Sequence, residues 1–573
     1  METFVLQVPW ITLTMGAPLL GALLLAFVPS EHRDTHRHVS VVFSAMSLLF
    51  SLALVAKHRA DDPFPQLTTA LENQVWIEAL GSRYFLAIDG LNLWLVVLTG
   101  IITPLALLAG YRSVTERAKE YHVGLLVMQG AIVGAFTAMD ALLYFLFWEL
   151  MLVPMLVLLS RGGPAGRPSA ALKFVLYTMA GSALLMSALL YVRAAGGAAD
   201  FSFDSMMLAG RSLSLTEQIL VFGAMASAFL IKVPLFPLHT WSPDTYAQAP
   251  GASAAMLSGV MAKVGIYGLL RWAMPLAPDG AYALAPYIAI LAVVGIVHGA
   301  LVALQQTDLR RMLAYSSLSH LGFVVLGVFA LTEESTSGAI FQCFAHGITT
   351  GGLFMMATFL DDRAPSTEFS RFGGLATRAP LLALFSVGLV LASAAVPGLI
   401  GFVGEFMILM GASQSWTLNF GPLMVLGGAG FGPDVQALLF VAVASLGVIL
   451  GAIYLLVMVQ KTFYGPVSEL SQKVSDVGWR EATILGLLLA LSLGLGIFPT
   501  PLMERMNGAA AVHVDSMQDG AVEYRADVMD SMERRALRAQ FVAARNTPGA
   551  LQAELGSLDS HDEGSAHEGG DHE

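Results

Sequence analysis

Apolar runs of about 20 residues recur along this chain from Trp10 to Leu502, and no other feature narrows its possible folds so far. Those at 90–109, 122–139, 141–159, 283–304 and 482–498 are each long enough to cross roughly 30 Å of hydrocarbon. Inside a bilayer every backbone N–H and C=O must find its partner within the protein, which leaves helices as the reading for segments of this length. Composition agrees: only 13% of the 573 residues are charged, too few to clothe a soluble surface of this size. The expectation is an all-α polytopic membrane protein of about fourteen spans. They fall near 3–28, 39–56, 90–110, 121–139, 141–160, 170–192, 217–238, 250–270, 283–304, 312–331, 337–360, 379–411, 437–460 and 481–503.

Basic residues orient these spans. Loops after odd-numbered spans, with the first residues of the next span, carry sixteen Lys and Arg, among them Arg112, Lys119, Lys173, Arg310, Arg311, Arg363 and Arg480. Loops after even-numbered spans carry six: Lys57, Arg59, Arg83, Arg193, Arg211 and Arg271. The positive-inside rule places the odd loops in the cytoplasm and both termini outside. Residues 3–28 lack a basic region ahead of the apolar stretch and read as a retained first helix, not a cleaved leader. The loop at 57–89 contains an alternating stretch from Val75 to Ile88, the pattern of a small hairpin. Beyond Leu502 the composition turns polar. Residues 515–555 read as one or two surface helices and 556–573 as a disordered acidic tail; from Asp515 onward 13 acids face 5 bases, so the tail holds most of the net charge of −12. His561, His567 and His572 could bind metal weakly there, although composition favours a plain solvated tail.

Two spans are interrupted. The seventh ends Lys232-Val-Pro-Leu-Phe-Pro-Leu-His239, and the twelfth contains Ala395-Val-Pro-Gly-Leu-Ile-Gly-Phe-Val-Gly-Glu405. Proline removes an i→i−4 bond and frees carbonyls that need a new partner. Broken helices five spans apart are the pattern of inverted-repeat transporters, in which irregular backbone lines a hydrated cavity.

Charge then appears where lipid forbids it. Glu149, Lys232, Lys263 and Glu405 fall within apolar spans, and His239, His320 and His346 are titratable in apolar surroundings. A Lys or Asp at a helix centre costs roughly 2.5–3.5 kcal/mol even on lenient insertion scales, so each such residue needs a partner, hydration or a function. Any one alone reads equally well as half of a buried salt bridge that fixes packing. Two acids and two bases on four helices, two of them broken, point instead to a proton or ion pathway. Burial favours the neutral form of either type, whereas an ion pair favours the charged forms, so a Glu149–Lys232 pair that opened would release a proton. His239 also reads as a helix-end cap and His320 as a packing residue, although histidine's near-neutral titration suits a relay. Cys343, the single cysteine, can form no internal disulfide and cannot by itself ligate an iron–sulfur cluster. No nucleotide-binding loop, CxxC pair or nucleophile elbow is present, and nothing points to nucleic acid.

At these residues the sequence resembles the antiporter-like subunits of bacterial respiratory complex I, most closely the M (chain 4) branch. The matching stretches are Phe147-Trp-Glu-Leu-Met-Leu-Val-Pro-Met155, Lys173-Phe-Val-Leu-Tyr-Thr-Met-Ala-Gly-Ser182, Lys232-Val-Pro-Leu-Phe-Pro-Leu-His-Thr-Trp241, Lys263-Val-Gly-Ile-Tyr-Gly268, Asp308-Leu-Arg-Arg-Met-Leu-Ala-Tyr-Ser-Ser-Leu-Ser-His320 and Pro397-Gly-Leu-Ile-Gly-Phe-Val-Gly-Glu-Phe406. The resemblance implies two inverted five-helix repeats, 121–272 (helices 4–8) and 283–465 (helices 9–13). Three helices precede them over 1–120, a last span follows over 466–510, and 511–573 forms a C-terminal surface helix and tail. It implies a proton channel coupled to NADH oxidation and quinone reduction elsewhere, with NADH, FMN, iron–sulfur clusters and quinone held by partner subunits and no cofactor or metal by this chain. Glu149 resembles the helix-5 acid, Lys232 its helix-7 partner, Lys263 the central helix-8 relay residue and Glu405 the helix-12 acid; His239, His320 and His346 take part in proton transfer along the same axis. Glu405 favours M, because the L and N relatives usually carry lysine there, whereas Tyr246 stands where M usually has histidine. The implied setting is the bacterial inner membrane, multi-pass, beside other membrane subunits. Subunits of multisubunit cation/proton antiporters share these motifs and remain the alternative, and a passive assembly subunit is the third reading.

Overall fold

The computed structural model describes residues 8–57, 70–114, 116–160, 167–364, 366–418 and 433–521. Helices α1 (Trp10–Phe27) and α2 (Arg33–Lys57) precede strands β1 (Ala70–Ile77) and β2 (Ser82–Ile88). There follow α3 (Leu93–Ala109), α4 (Ala118–Thr137), α5 (Ala141–Leu150), α6 (Leu152–Ser160), α7 (Arg167–Ala195), α8 (Phe203–Arg211), α9 (Leu215–Lys232) and α10 (Ser242–Gln248). A continuous span, α11 (Ser253–Leu276), then leads to α12 (Pro278–Gln305), α13 (Leu309–Ala330) and α14 (Glu333–Arg363). The chain continues through α15 (Pro380–Ser393), α16 (Ile400–Ser413), α17 (Pro433–Phe463), α18 (Trp479–Ile497) and α19 (Thr500–Gly520).

Among the described residues, eleven helices are long and apolar enough to cross a membrane. Three further elements complete the fourteen expected spans: α3, α4, and the pair α15 and α16 on either side of one break. The hairpin falls in the loop where residue alternation placed it. β1 and β2 pair antiparallel with Ala70 opposite Ile88, joined by a 3₁₀ turn over Glu78–Leu80 and by Gly81 at φ 66°. Asp140 ties this hairpin to the bundle. Its carboxylate caps α5 by accepting from Leu142 and Leu143 N–H (3.1 and 3.0 Å), and it also accepts from Ser82 Oγ and Arg83 N–H.

Burial is graded from rim to centre. On α7 the exposed Leu172, Leu176 and Met179 repeat at helical spacing, as do Leu446, Ile449, Ile453 and Leu456 on α17, giving the stripe expected against lipid tails. The innermost helices are enclosed: α11 and α14 are buried along their whole apolar length, and α13 nearly so. Polar side chains within the apolar stretches of these three helices are therefore largely withdrawn from lipid and bulk water alike.

The two interrupted spans show where freed carbonyls go. α9 stops at Lys232 and the chain resumes as α10 at Ser242; across the gap Trp241 Nε1 donates to the carbonyl of Ile231 at 2.9 Å. Between α15 and α16, Ala395 adopts φ 55° and Gly398 φ 88°, and Val396 N–H bonds back to Leu391 O at 3.2 Å. α11 is irregular in another way. Two π turns, Leu257–Met261 and Leu269–Ala273, flank the α-helical segment that carries Lys263; such turns in a helix frequently mark functional sites.

The last expected span divides in two. α18 ends at Ile497 and Pro499 precedes a separate helix, α19, that runs through residue 510, where the last span was expected to end. One face of α19 is buried, including Leu502, Met506, Ala510 and Met517, because it lies on α12, α14 and the end of α11. The described residues up to Gly520 belong to one compact unit. Residues 522–573, with His561, His567 and His572, the remainder of 515–555 and the acidic tail, lie outside the described residues.

Candidate functional site

Lys263 is fully buried at the middle of α11. Its Nζ donates to the carbonyl of Ser258 at 2.6 Å and shares a hydrogen bond with His346 Nδ1, also at 2.6 Å. Glycine makes this contact possible. α11 and α14 cross at Gly259 and Gly347, where a Cβ on Gly347 would lie 2.8 Å from the Gly259 carbonyl, so only hydrogen lets the two backbones meet. One turn after Gly259, Lys263 then reaches the residue next to Gly347.

From His346 the polar row continues. The His346 and His320 rings stand 5.9 Å apart between centroids. His320 Nδ1 donates to Glu405 Oε1 at 2.8 Å, and Gln342 Nε2 donates to the same oxygen at 3.1 Å. The second approach is also made by small residues: a Cβ on Gly404 would meet Gln342 Oε1 at 2.5 Å, and one on Gly338 the Gly404 carbonyl at 3.1 Å. On its other side His320 Nε2 lies 3.3 Å from Tyr454 OH and 3.5 Å from Ser393 Oγ, and Tyr454 OH is hydrogen-bonded to Ser316 Oγ at 2.8 Å. Lys263, His346, His320 and Glu405 thus form one row across α11, α14, α13 and α16, with a single step between the imidazoles that exceeds direct hydrogen-bond reach. One water molecule spans a step of that size.

The first half is arranged differently. Lys232 is buried at the end of α9, with Nζ 3.7 Å from the centroid of the Trp148 ring and 3.5 Å from the Trp148 carbonyl. Glu149, half-buried, has a buried Oε1 with no hydrogen-bond partner among the described residues. The two residues expected to pair are neighbours that form no direct ion pair in this structure: the indole face holds the ammonium by cation–π attraction, and the carboxylate acts on it only through space. His239 stands apart from Lys263, in an aromatic group with Phe236 (stacked, 5.7 Å), His298 (5.3 Å) and Tyr315 (6.5 Å). Its Nδ1 is buried and unpartnered among the described residues.

Sequence reasoning overlooked Trp148, Gln342, Ser258, Tyr454 and His298. Gln342 had a visible signal, since it precedes His346 by four residues and so shares its helix face. Ser258 and Tyr454 had none, because only the crossing of helices brings them to the row. Among the described residues no group of three or more His, Cys, Asp or Glu is arranged to hold a metal ion.

The family described as "NADH:quinone oxidoreductase/Mrp antiporter, TM" matches residues 138–432, which carry all seven candidate residues. NADH-quinone oxidoreductase subunit M of Rhodobacter capsulatus is 34% identical over 514 residues, covering 87% of this chain and 94% of the relative. A chain of respiratory complex I from Thermus thermophilus, solved with bound NADH, superposes with a TM-score of 0.78 at 30% identity, over 89% of this chain and 99% of that one. A chain of the Mrp complex from Dietzia sp. DQ12-45-1b shares the fold, with a TM-score of 0.77 at 20% identity over 90% of this chain and all of that one.

Proposed function

The chain belongs to the NADH:quinone oxidoreductase/Mrp antiporter membrane family, and on that premise we propose that its buried row carries protons within a bacterial NADH–quinone oxidoreductase. It is a multi-pass membrane subunit of that proton-translocating enzyme, in the M (chain 4) branch, and performs no redox chemistry on its own residues. The setting proposed is the bacterial inner membrane, with the basic odd-loop face inside. Flavin, iron–sulfur clusters and the NADH and quinone sites belong to partner subunits, and other antiporter-like subunits lie beside this one. We read the interrupted seventh and twelfth spans as equivalent members of two inverted five-helix repeats.

The observation that carries the mechanism is the hydrogen-bonded row itself. Lys263 Nζ and His346 Nδ1 share one bond, so a proton crosses between them without either group moving far. His346 passes it across the imidazole step to His320, whose Nδ1 already faces the Glu405 carboxylate. Glu405 accepts it and Gln342 steadies the carboxylate while it does so. Glu149 and Lys232 act as the switch. When Lys232 leaves the Trp148 ring for Glu149, the closed pair favours two charges; when it returns, one proton is released toward Lys263. His239 supplies a second titratable group beside the break.

The test is NADH-driven proton uptake by the assembled complex in sealed vesicles. Lys263→Gln is expected to abolish the share of pumping that passes through this subunit, and unchanged pumping in fully assembled complex would sink the proposal. Copurification with flavin and iron–sulfur subunits separates this reading from a cation/proton antiporter, for which sodium-dependent exchange without those subunits is the expected result.

A further inference from the structure

Toward the odd-loop face, the end of α1, the first half of α4 and α6 leave an open groove of about 440 Å³ between them. That volume falls within the range of about 300–1,000 Å³ over which small-ligand sites are found. The floor of the groove is apolar, lined by Val123, Gly124 and Val127 from α4 and by Val153, Pro154 and Val157 from α6. The two helices approach closely at Gly124, where a Cβ would already touch Leu158 and Pro154 at 3.6 Å. On α6, Val153, Leu156 and Val157 are exposed. These floor residues belong to the spans expected at 121–139 and 141–160, so the groove opens onto hydrocarbon and not onto water.

The mouth of the groove carries charge. Lys119 and Glu120, both half-buried, stand at the start of α4 just ahead of its apolar span, which puts them at headgroup depth. Lys119 Nζ donates to the carbonyls of Ala26 at 2.8 Å and Val28 at 3.0 Å, which lie at the open end of α1. An ammonium has three donors, so one is left over, on a group whose position is already fixed. The Glu120 carboxylate lines the same mouth and has no hydrogen bond or ion pair among the described residues. From Lys119 to Val127 the groove runs roughly 12 Å along α4, polar at one end and apolar over the rest.

We propose that this groove seats one phospholipid whose headgroup carries both a phosphate and a primary ammonium, a phosphatidylethanolamine, with one acyl chain laid along Val123, Val127, Val153 and Val157. Lys119 donates its remaining N–H to the phosphate, and Glu120 accepts from the ammonium. Charge decides the headgroup. Lys119 is already shared with the negative end of α1 and has an acid beside it, so the mouth is close to neutral. An anionic glycerol headgroup gains the Lys119 contact and meets the charge of Glu120, and a choline headgroup has no N–H to give the carboxylate. Depth decides the rest, because an apolar groove holds no ordered water and the bilayer offers a chain to fill it. The site lies outside the polar row and needs no step of the proton path. One helix brings it near: α5 and α6 form a single span, and Val153 and Val157 follow Glu149 at intervals of four, so the chain packs along the helix face that carries Glu149.

The experiment uses the assembled complex in vesicles doped with a phospholipid that carries a photoactivatable group near the end of one acyl chain, supplied in ethanolamine, glycerol and choline headgroup forms. After illumination the labelled peptides are mapped by mass spectrometry. Label from the ethanolamine form should concentrate within 119–127 and 153–157. It should exceed the label from either other form by about threefold to fivefold, the scale of one partly exposed ion pair. Val127→Trp, which fills the floor, should remove the label, and Glu120→Gln should remove the preference for ethanolamine. Equal or greater label from the glycerol or choline form overturns the proposal, as does label that Val127→Trp leaves unchanged. The absence of lipid label at these residues, the result expected where a neighbouring subunit fills the groove, overturns it too. Should Val127→Trp not assemble, Glu120→Gln decides: a lost preference supports the site, and an unchanged one overturns it.

Discussion

Lys232 and Lys263 are the same residue type, both buried in spans of one bundle, yet they keep different company. Lys263 has a carbonyl and an imidazole at 2.6 Å each, and its row continues to a carboxylate already bonded to His320. Lys232 has the face of an indole at 3.7 Å, and the carboxylate beside it has no hydrogen bond on Oε1. The difference follows from backbone geometry. α11 and α14 meet at paired glycines, and so do α14 and α16, which brings polar side chains into contact. Lys232 sits instead at the mouth of a helix break whose nearest occupant is a tryptophan. The second row is bonded from Lys263 to His346 and from His320 to Glu405, with His346 Nε2 and Gln342 Oε1 left unpartnered among the described residues, whereas the carboxylate beside the weakly held Lys232 ammonium has a second arrangement to move into. The second half is built as a wire and the first as a switch.

Several substitutions set one half against the other. Lys263→Gln should have the largest effect, a loss on the order of 10²-fold in pumping through this subunit, the scale of a positioned acid–base group. Lys232→Gln should lose less, because no hydrogen-bonded imidazole depends on it; equal losses in vesicle assays would erase the distinction between wire and switch. Next is a stability contrast. Glu405→Gln removes charge from hydrogen bonds with His320 and Gln342 and should cost about 1.5–3 kcal/mol, read from thermal denaturation of the purified complex. Glu149→Gln should leave stability nearly unchanged while reducing pumping, since its buried oxygen has no partner to lose. A midpoint that falls as far for Glu149→Gln as for Glu405→Gln would show that the first half is already closed.

Smaller still is Trp148→Leu, which removes the cation–π contact and should cost roughly 0.5–2 kcal/mol in the same measurement. Because it frees Lys232 to meet Glu149, pumping should slow even where stability recovers in a second-site variant. The least effect near neutral pH concerns α19. Burial, with the charges of Arg271 and Arg211, pushes the His513 imidazole down from 6.5 to about 3, so its neutral form is the one the fold favours. That stabilisation is complete above pH 6.5 and is lost as pH falls toward 3. Amide exchange over 500–520 should therefore quicken on acidification, and His513→Gln should flatten that dependence.

Much of this was legible in residues alone. Apolar run length and the backbone's need for internal partners dictate the helical bundle, and the cost of charge in lipid singles out Glu149, Lys232, Lys263 and Glu405 without any coordinates. The hairpin followed from alternation between Val75 and Ile88, and the chain breaks from proline. Partnership was not legible. The sequence pairs Glu149 with Lys232 by proximity of role, but the fold seats the lysine on Trp148, with the aromatic face at 3.7 Å and no direct ion pair to the carboxylate. Gln342, Tyr454 and Ser258 join the row only where helices cross, and crossings depend on which glycines meet. His513 and Arg271 lie more than two hundred residues apart, and a separate helix after Pro499 brings them to one cavity. Local physics determined which residues are anomalous; long-range packing decided which of them touch, because contact between helices depends on the whole bundle and not on any single span.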